Sequence, residues 1–304
     1  MGKLTDYNYS KLKERIEYSL EYTNKEFYEK LENIKGNTMI TGVGGSLVVA
    51  IFLKKILEQK NNILCMVEEL DQLTNTSPKF FQNLIVVSSS GNNHGVKESL
   101  KKDFQNKYLL TASKQQKKEI TLLNYEIKEK EESFIALAST LIPITLLLKY
   151  NRRKKYSRKK INKPLEIKNA HLDWEIFYDE TNKCTALFLE STFIEAGLAN
   201  VILHDKYSYC HGRSTLASKR KGQCIYLASK KSDLDTCLLE NIPSLYEDIY
   251  VLKSKEKESI LIDYDLLLQA IPLVYQISLA LKRDLSKVKY AKIVPKLYHF
   301  KGGM

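Results

Sequence analysis

The stretch TMITGVGGS, residues 38–46, decides the fold class, because a short β-rich run ends in three glycines and a helical pattern follows at once. The run at residues 38–41 predicts a strand, and the spacing of apolar residues in 47–57 predicts a helix. Other short β-rich runs, separated by charged helical stretches, occupy residues 63–67, 84–88 and 108–111. This alternation predicts a doubly wound α/β fold, a parallel sheet with helices on both faces.

The same patterns divide the chain into three parts. Residues 1–35 form a helical segment, since apolar residues recur there at helical spacings. Residues 36–165 form a first lobe, which ends in the uncharged run 134–148, predicted as a buried helix. Residues 166–304 form a second lobe of the same flavodoxin-like type. Its predicted strands are 175–178, 224–228 and 248–252, and its predicted helices are 186–201, 233–239 and 264–282.

Composition excludes several classes of protein. With 304 residues, 43% hydrophobic and 28% charged, the chain has an ordinary globular balance, so it is not mainly disordered. Its five cysteines form no Cys-x-x-Cys pair, which argues against a zinc site or a disulfide framework. The first ten residues lack the apolar region of a signal peptide, and the run 134–148 is too short to span a membrane. We predict a cytoplasmic protein.

The net charge of +12 favours anionic partners in general. Nine of the fifteen residues in 149–163 are Lys or Arg, and this stretch lies between the two predicted lobes. Most such runs are solvated, so we interpret it as a basic connector, with a nucleic-acid or membrane contact as the alternative. No zinc finger or helix-turn-helix pattern accompanies it, so nucleic acid is not the predicted partner.

Two polar loops follow the first and third predicted strands. Residues 42–46, GVGGS, bring glycines and the Ser46 hydroxyl to a strand-to-helix turn, where backbone N–H groups bind anions. Residues 88–93, SSSGNN, bring hydroxyls and amides to the end of the third strand. Because the carboxyl ends of parallel strands share one edge, we expect a two-sided phosphate cradle. Either loop alone is also typical of an ordinary connection.

The pattern Gly42-x-Gly44-x-Ser46, followed by Ser88-x-Ser90-Gly91, resembles the sugar isomerase (SIS) domain family. The resemblance covers residues 36–304 as a tandem of two SIS domains, of which only the first keeps both loops. It implies that a phosphosugar is the ligand. The residues it implies for the phosphate are Gly44, Ser46, Ser88, Ser89, Ser90 and Asn93, the last standing where members commonly have Thr.

Glu195 and His211 are sixteen residues apart, and an aldose–ketose interconversion needs a proton shuttle and an acid–base group for ring opening. This spacing is similar to that of a Glu and a His in the isomerase half of glucosamine-6-phosphate synthases. The similarity implies that Glu195 moves the proton between C1 and C2 and that His211 opens the ring. It also implies that Lys292 stabilises an enediolate. Arg213 and Ser133 are the further substrate-binding candidates.

The resemblance implies a phosphosugar isomerase, or an aminosugar-phosphate deaminase or deglycase, that works without a metal or organic cofactor. It also implies a homodimer, since in those synthases the His reaches the site of a neighbouring subunit. The alternative is a non-catalytic sensor that binds a phosphosugar or a nucleotide sugar in the same cradle. Departures from the synthase pattern at Asn93, Thr192 and Arg213 favour this alternative modestly.

Overall fold

The computed structural model divides the chain into two compact units. The first unit comprises residues 10–155 and 285–304, and the second comprises residues 156–284 and 1–9. The C-terminal residues from 285 onward therefore group with the first unit. The residues that the structure describes are 6–70, 73, 78–115, 118–128, 137–152, 167, 172–215, 217, 222–229, 232–285 and 292.

The first unit contains a five-stranded parallel sheet in the order β2-β1-β3-β4-β5. Its strands are β1 (Thr38–Thr41), β2 (Cys65–Glu68), β3 (Asn83–Val87), β4 (Asn106–Thr111) and β5 (Thr121–Asn124). The helices in this part of the chain are α1 (Asp6–Glu21), α2 (Lys25–Glu32), α3 (Gly45–Asn61), α4 (His94–Lys101) and α5 (Leu137–Arg152). This strand order is that of the flavodoxin-like doubly wound fold, and it reverses between β1 and β3.

Apolar side chains on both faces hold this sheet between its helices. Every residue of β1 and β3 is buried, as expected of strands in the middle of a parallel sheet. Met39 and Leu84 pack with Val96 of α4 on one face. The helices α3 and α5 pack against each other, and buried residues line both. The two strands that precede the polar loops are therefore fixed firmly in the core.

Asn83 aligns the three strands at the centre of the first sheet. Its side-chain nitrogen donates to Thr38 Oγ1 at 3.0 Å and to the Lys35 carbonyl at 2.7 Å. Its side-chain oxygen accepts from Asn106 Nδ2 at 2.9 Å. Asn83 is fully buried, so these bonds also satisfy polar atoms that would otherwise be costly to bury.

The second unit contains a four-stranded parallel sheet in the order β7-β6-β8-β9. Its strands are β6 (Asp173–Tyr178), β7 (Asn200–Asp205), β8 (Gln223–Ala228) and β9 (Asp248–Lys253). Its helices are α6 (Lys183–Glu195), α7 (Lys206–Ser208), α8 (Asp233–Asn241) and α9 (Ser259–Ala280), with a π-helical turn at Tyr209–Arg213. The order again reverses between two neighbouring strands, here β6 and β8.

The two faces of the second sheet carry different helices. On one face, Phe193 of α6 packs against Trp174, with ring centroids 5.9 Å apart, and α9 packs on α6. On the other face, Phe177 packs with Tyr209 of the π-helical turn and with Leu238 of α8. Among the described helices, only α9 is long and apolar enough to cross a membrane, and 78% of its most apolar window is buried inside the protein.

The predicted α/β class with parallel sheets is confirmed, but two strands were not predicted. The short β5 was not recognised, and the prediction of one helix over 186–201 is wrong beyond Glu195. The helix α6 ends there because Gly197 adopts a φ of +60°, a conformation that terminates helices, and β7 follows. The predicted buried helix at 134–148 corresponds to α5.

Candidate functional site

Two glycines, Gly42 and Gly44, shape the turn between β1 and α3. A Cβ on Gly42 would lie 2.7 Å from the Ser46 carbonyl oxygen. Gly44, at the N-cap of α3, has a φ of +56°, which side chains disfavour. The Ser46 amide donates to the Val43 carbonyl at 3.1 Å, so the chain folds back tightly. The turn thus brings the first residues of α3 and the half-buried Ser46 to the carboxyl edge of the sheet.

The loop between β3 and α4 is fixed from below by its own hydrogen bonds. Ser88 is buried, and its hydroxyl accepts from the Gly91 amide at 3.1 Å. The Ser89 carbonyl accepts from Thr111 Oγ1 at 3.0 Å. The Asn93 side-chain oxygen caps α4 by accepting from the Val96 amide at 2.8 Å. Ser88 and Asn93 therefore shape the loop, whereas Ser89 is half-buried and Ser90 is exposed.

The fold brings these two loops together. The strands β1 and β3 are parallel neighbours, with Thr41 paired to Val86, and each loop begins within two residues of that pair. The connection through α3 leads to β2 and that through α4 leads to β4, on opposite sides, so a crevice opens between the loops. Doubly wound sheets bind ligands at this reversal of strand order. We call this place the first crevice, lined by the 42–46 turn and the 88–93 loop.

Three solved structures are similar to the whole chain. Glucosamine-6-phosphate deaminase from Thermotoga maritima is 17% identical, with a TM-score of 0.62 covering 93% of this chain and 98% of that chain. The C-terminal domain of glucosamine-fructose-6-phosphate aminotransferase from Francisella tularensis is 13% identical, with a TM-score of 0.63 and coverage of 90% and 94%. Tagatose-6-phosphate ketose/aldose isomerase from Escherichia coli is 12% identical, with a TM-score of 0.59 and coverage of 91% and 90%.

The chain shares their fold. The expected likeness to SIS-type proteins is thereby confirmed at the level of the fold, since these structures are those of an isomerase, a deaminase and the C-terminal domain of an aminotransferase. No protein-family model matches the sequence, and neither does a curated protein. The ligand and the reaction therefore have to be argued from the residues of this chain.

The elements that lead to Glu195 and His211 pack on opposite faces of the second sheet. The helix α6, which ends at Glu195, covers the face of Trp174, whereas Tyr209, two residues before His211, packs on Phe177 with ring centroids 4.6 Å apart. Trp174 and Phe177 are three residues apart on β6, and alternate residues of a strand point to opposite faces. The roles assigned to Glu195 and His211 stay predictions.

The surroundings of the two side chains differ as well. Glu195 is exposed, and its carboxylate accepts from Ser191 Oγ at 2.8 Å on the same helix. His211 and Gly212 interrupt the helical geometry of the π-helical turn, with φ values of −92° and +99°. His211 is exposed, and so is Arg213. The turn therefore presents an imidazole and a guanidinium to solvent.

The structure describes only some of the other residues that the sequence singled out. Lys292 is exposed in a turn and groups with the first unit, the one that carries the crevice. Ser133 lies outside the described residues. Of the basic stretch 149–163, only residues 149–152 are described, and there Lys149 Nζ donates to the Tyr22 carbonyl at 2.8 Å. The role of that stretch stays a prediction.

Sequence reasoning missed a buried polar cluster on the second sheet. The cluster lies on the face of the sheet that carries Phe177. Glu175 Oε2 lies 2.7 Å from His204 Nε2 and accepts from the Tyr246 hydroxyl at 2.5 Å. The Tyr246 hydroxyl lies 3.2 Å from that of Tyr209, which leads to His211. Burial raises the pKa of Tyr246, and the hydrogen bond to Glu175 raises it further. The only sequence signal for this cluster was Glu175, a glutamate within the β-rich run that forms β6.

A second missed cluster centres on Lys206, which is almost completely buried. Its ammonium lies 2.8 Å from Asp179 Oδ2 and 2.9 Å from Asp235 Oδ1. Within the described part of the chain, no three His, Cys, Asp or Glu side chains are arranged to hold a metal ion. The two carboxylates near Lys206 are instead matched by an ammonium.

Proposed function

We propose that the first crevice binds the phosphate of a phosphosugar. The observation that carries this proposal is the convergence of the 42–46 turn and the 88–93 loop at the reversal of strand order in a parallel sheet. In this arrangement Ser46, Ser89 and Ser90 supply hydroxyls, and the first turns of α3 and α4 supply N–H groups and the positive ends of helix dipoles. The three similar structures are those of proteins named for sugar phosphates, which supports this ligand class.

The reaction proposed is aldose–ketose isomerisation, or deamination or deglycation of an aminosugar phosphate, through an enediolate and without a cofactor. We propose a tandem SIS protein that forms a homodimer, in which His211 opens the ring of a ligand held by the neighbouring copy. Glu195 is proposed as the proton shuttle and Lys292 as the group that stabilises the enediolate. The proposed location is the cytoplasm.

One observation favours a second candidate, a non-catalytic phosphosugar sensor. The helix α6, which ends at Glu195, and Tyr209, two residues before His211, pack on opposite faces of the second sheet, and the Glu195 carboxylate accepts from Ser191 Oγ. A sensor would use only the first crevice. The two candidates are separated by exchange of a C1 proton of fructose 6-phosphate, or of the C2 proton of glucosamine 6-phosphate, with deuterated water. Exchange by the protein supports the enzyme, whereas calorimetric binding without exchange supports the sensor.

Replacing Ser90 with alanine is expected to weaken binding of these sugar phosphates by about tenfold or more. A hydrogen bond to a charged group contributes about 1.5–3 kcal/mol, and the exposed Ser90 hydroxyl is placed to make one. Titration calorimetry measures the loss. The matched control is Ser244→Ala, an exposed serine of the other unit, which should leave affinity unchanged. Equal affinities for both variants would remove Ser90 from the phosphate site.

Under the enzyme proposal, Glu195→Gln is expected to slow C2 proton exchange by roughly 100-fold or more, because it removes a general base. Calorimetric binding should stay within about twofold, since the first crevice contains no part of α6. The measurement is deuterium incorporation by NMR at saturating ligand. Exchange at the wild-type rate would show that another group moves the proton.

A further inference from the structure

The second sheet has its own crevice at the corresponding place. The strand order β7-β6-β8-β9 reverses between β6 and β8, so the segments that follow these two strands diverge at their carboxyl ends. Asp179 follows β6, and Ser229 follows β8. This is the position at which a doubly wound sheet binds its ligand, and we call it the second crevice. The question is what occupies it.

The Lys206 ammonium occupies the second crevice. It donates to Asp179 Oδ2 at 2.8 Å and to the Leu227 carbonyl at 2.8 Å, and it lies 2.9 Å from Asp235 Oδ1. These three oxygens match the three N–H donors of a primary ammonium. The side chain is 2% exposed, so the ammonium has exchanged its water for these partners.

Neighbouring groups fix the oxygens that surround the ammonium. Ser229 Oγ donates to Asp179 Oδ2 at 2.7 Å, and the Thr181 amide donates to Asp179 Oδ1 at 2.9 Å. Burial by itself would raise the pKa of Asp179, but the charge and hydrogen bond of Lys206 outweigh it and lower that pKa. Asp179 is therefore held ionised and oriented.

Hydrogen bonds also orient the Asp235 carboxylate. Ser232 Oγ donates to Asp235 Oδ2 at 2.8 Å, and the Tyr226 hydroxyl donates to Asp235 Oδ1. The Tyr226 ring centroid lies 4.8 Å from Lys206 Nζ, close enough for a cation–π contact. Every described partner of the ammonium is thus a carboxylate, a carbonyl or an aromatic face, and each prefers a cation.

We infer that the second crevice is a primary-ammonium site that the chain fills with its own Lys206. A phosphate would meet two carboxylates there, with one ammonium to offset them, so the crevice rejects the ligand class proposed for the first crevice. The occupied site also anchors the beginning of the 206–213 segment, on which His211 and Arg213 lie. Lys206 is therefore a positioning residue for that segment.

The test is to empty the site and refill it. Lys206→Ala removes a propylammonium-sized group and leaves two buried carboxylates without a cation. We expect the melting temperature to fall by about 10 °C, the size typical of a broken buried ion pair. Added n-propylammonium should restore at least half of this loss with a saturable dose dependence. Neutral n-propanol and bulky tetramethylammonium should restore none of it.

The matched control is Lys253→Ala, which removes an exposed lysine at the end of β9. It should lose little stability and gain nothing from n-propylammonium. Amide hydrogen exchange adds a local readout: peptides covering 206–213 should exchange faster in Lys206→Ala and slow again with the amine. Recovery with inorganic phosphate, or no specific recovery with n-propylammonium, would overturn the inference.

If Lys206→Ala fails to fold, the wild-type protein still provides a test. Acetylation by acetic anhydride at neutral pH, followed by mass spectrometry, should modify Lys206 at least tenfold more slowly than the exposed Lys253. Acetylation needs an amine that is accessible to solvent and able to lose its proton. The second crevice buries the Lys206 ammonium and pairs it with carboxylates, so it prevents access and deprotonation alike. Equal acetylation rates for the two lysines would overturn the inference.

Discussion

An alanine at position 42 is expected to lower the affinity of the first crevice for a sugar phosphate by roughly 100-fold or more, the effect of losing two charge-assisted hydrogen bonds. The added Cβ would lie 2.7 Å from the Ser46 carbonyl oxygen and 2.8 Å from the Ser46 carbonyl carbon. Both are backbone atoms, so the first turn of α3 has to move. Movement there displaces the Ser46 hydroxyl and the N–H groups that face the ligand. Titration calorimetry with fructose 6-phosphate measures the loss.

The control for Gly42→Ala is a glycine whose replacement is sterically free. At Gly222 an added Cβ would meet nothing nearer than the Asp173 carbonyl oxygen at 4.0 Å, and Gly222→Ala should bind the ligand as the wild type does. Circular dichroism establishes that both variants are folded. A folded Gly42→Ala protein with an affinity within threefold of the wild type would show that the phosphate is not held by this turn.

The part of the fold that carries the first crevice was predictable from local sequence. The strand β1 has the predicted limits, because a β-rich run meets glycines at Gly42 and a helix pattern resumes directly afterwards. Similar logic located β3 to within a residue at each end. Parallel pairing then requires the two loops to meet, since both follow the carboxyl ends of neighbouring strands. Strong local signals and one topological rule were sufficient.

The second unit shows where local pattern fails. The apolar residues of 186–201 continue a helical spacing across a real boundary, and the signal that breaks it is one glycine. Gly197 forms a Schellman motif, in which the Leu198 amide donates to the Phe193 carbonyl at 2.8 Å and the Gly197 amide donates to the Ile194 carbonyl at 3.0 Å. A helix end predicted at Gly197 would have left residues 200–205 free to be predicted as a strand, and Glu195 would then lie at the end of a helix.

The Lys206 cluster could not have been predicted from spacing, because its members are distant in sequence. Each of the three charged residues comes after a different strand: Asp179 after β6, Lys206 after β7, and Asp235 after β8, near the start of α8. Only the strand order brings them together. The resemblance to SIS domains did indicate that only the first domain keeps both polar loops. What the sequence did not reveal was the cation, since a lysine in a chain with 48 basic residues carries no signal of burial.

The two crevices illustrate how one topology supports opposite chemistry. Each lies at the reversal of strand order in a parallel sheet, so backbone geometry offers the same opening twice. Glycines and serines leave the first open to an anion, with the positive ends of α3 and α4 directed at it. Two aspartates make the second negative, and an ammonium from the chain occupies it. The side chains, rather than the fold, therefore decide which crevice is available to a ligand.

Replacing Asp263 with alanine is expected to lower the free energy of unfolding by about 3 kcal/mol, because it leaves buried donors without an acceptor. Asp263 lies on α9, is 1% exposed, and caps the start of α6. Its carboxylate accepts from the Cys184 amide at 3.2 Å and from the Thr185 amide at 3.0 Å. It also accepts from the Thr185 hydroxyl at 2.8 Å. Chemical denaturation followed by circular dichroism measures the change.

Two effects oppose each other at this position. Removing a buried carboxylate recovers the hydration that it lost on folding, which favours the variant. Against this, α6 loses the negative charge at its positive end and two backbone N–H groups lose their acceptor, and we expect this loss to dominate. Asp263→Asn keeps one acceptor, so its free energy of unfolding should fall between those of the wild type and Asp263→Ala.

The matched control is Asp233, an exposed residue in the first turn of α8. Asp233→Ala should lower the free energy of unfolding by at most about 1 kcal/mol. Similar losses for Asp233→Ala and Asp263→Ala would mean that the contact between α6 and α9 relies on apolar packing alone.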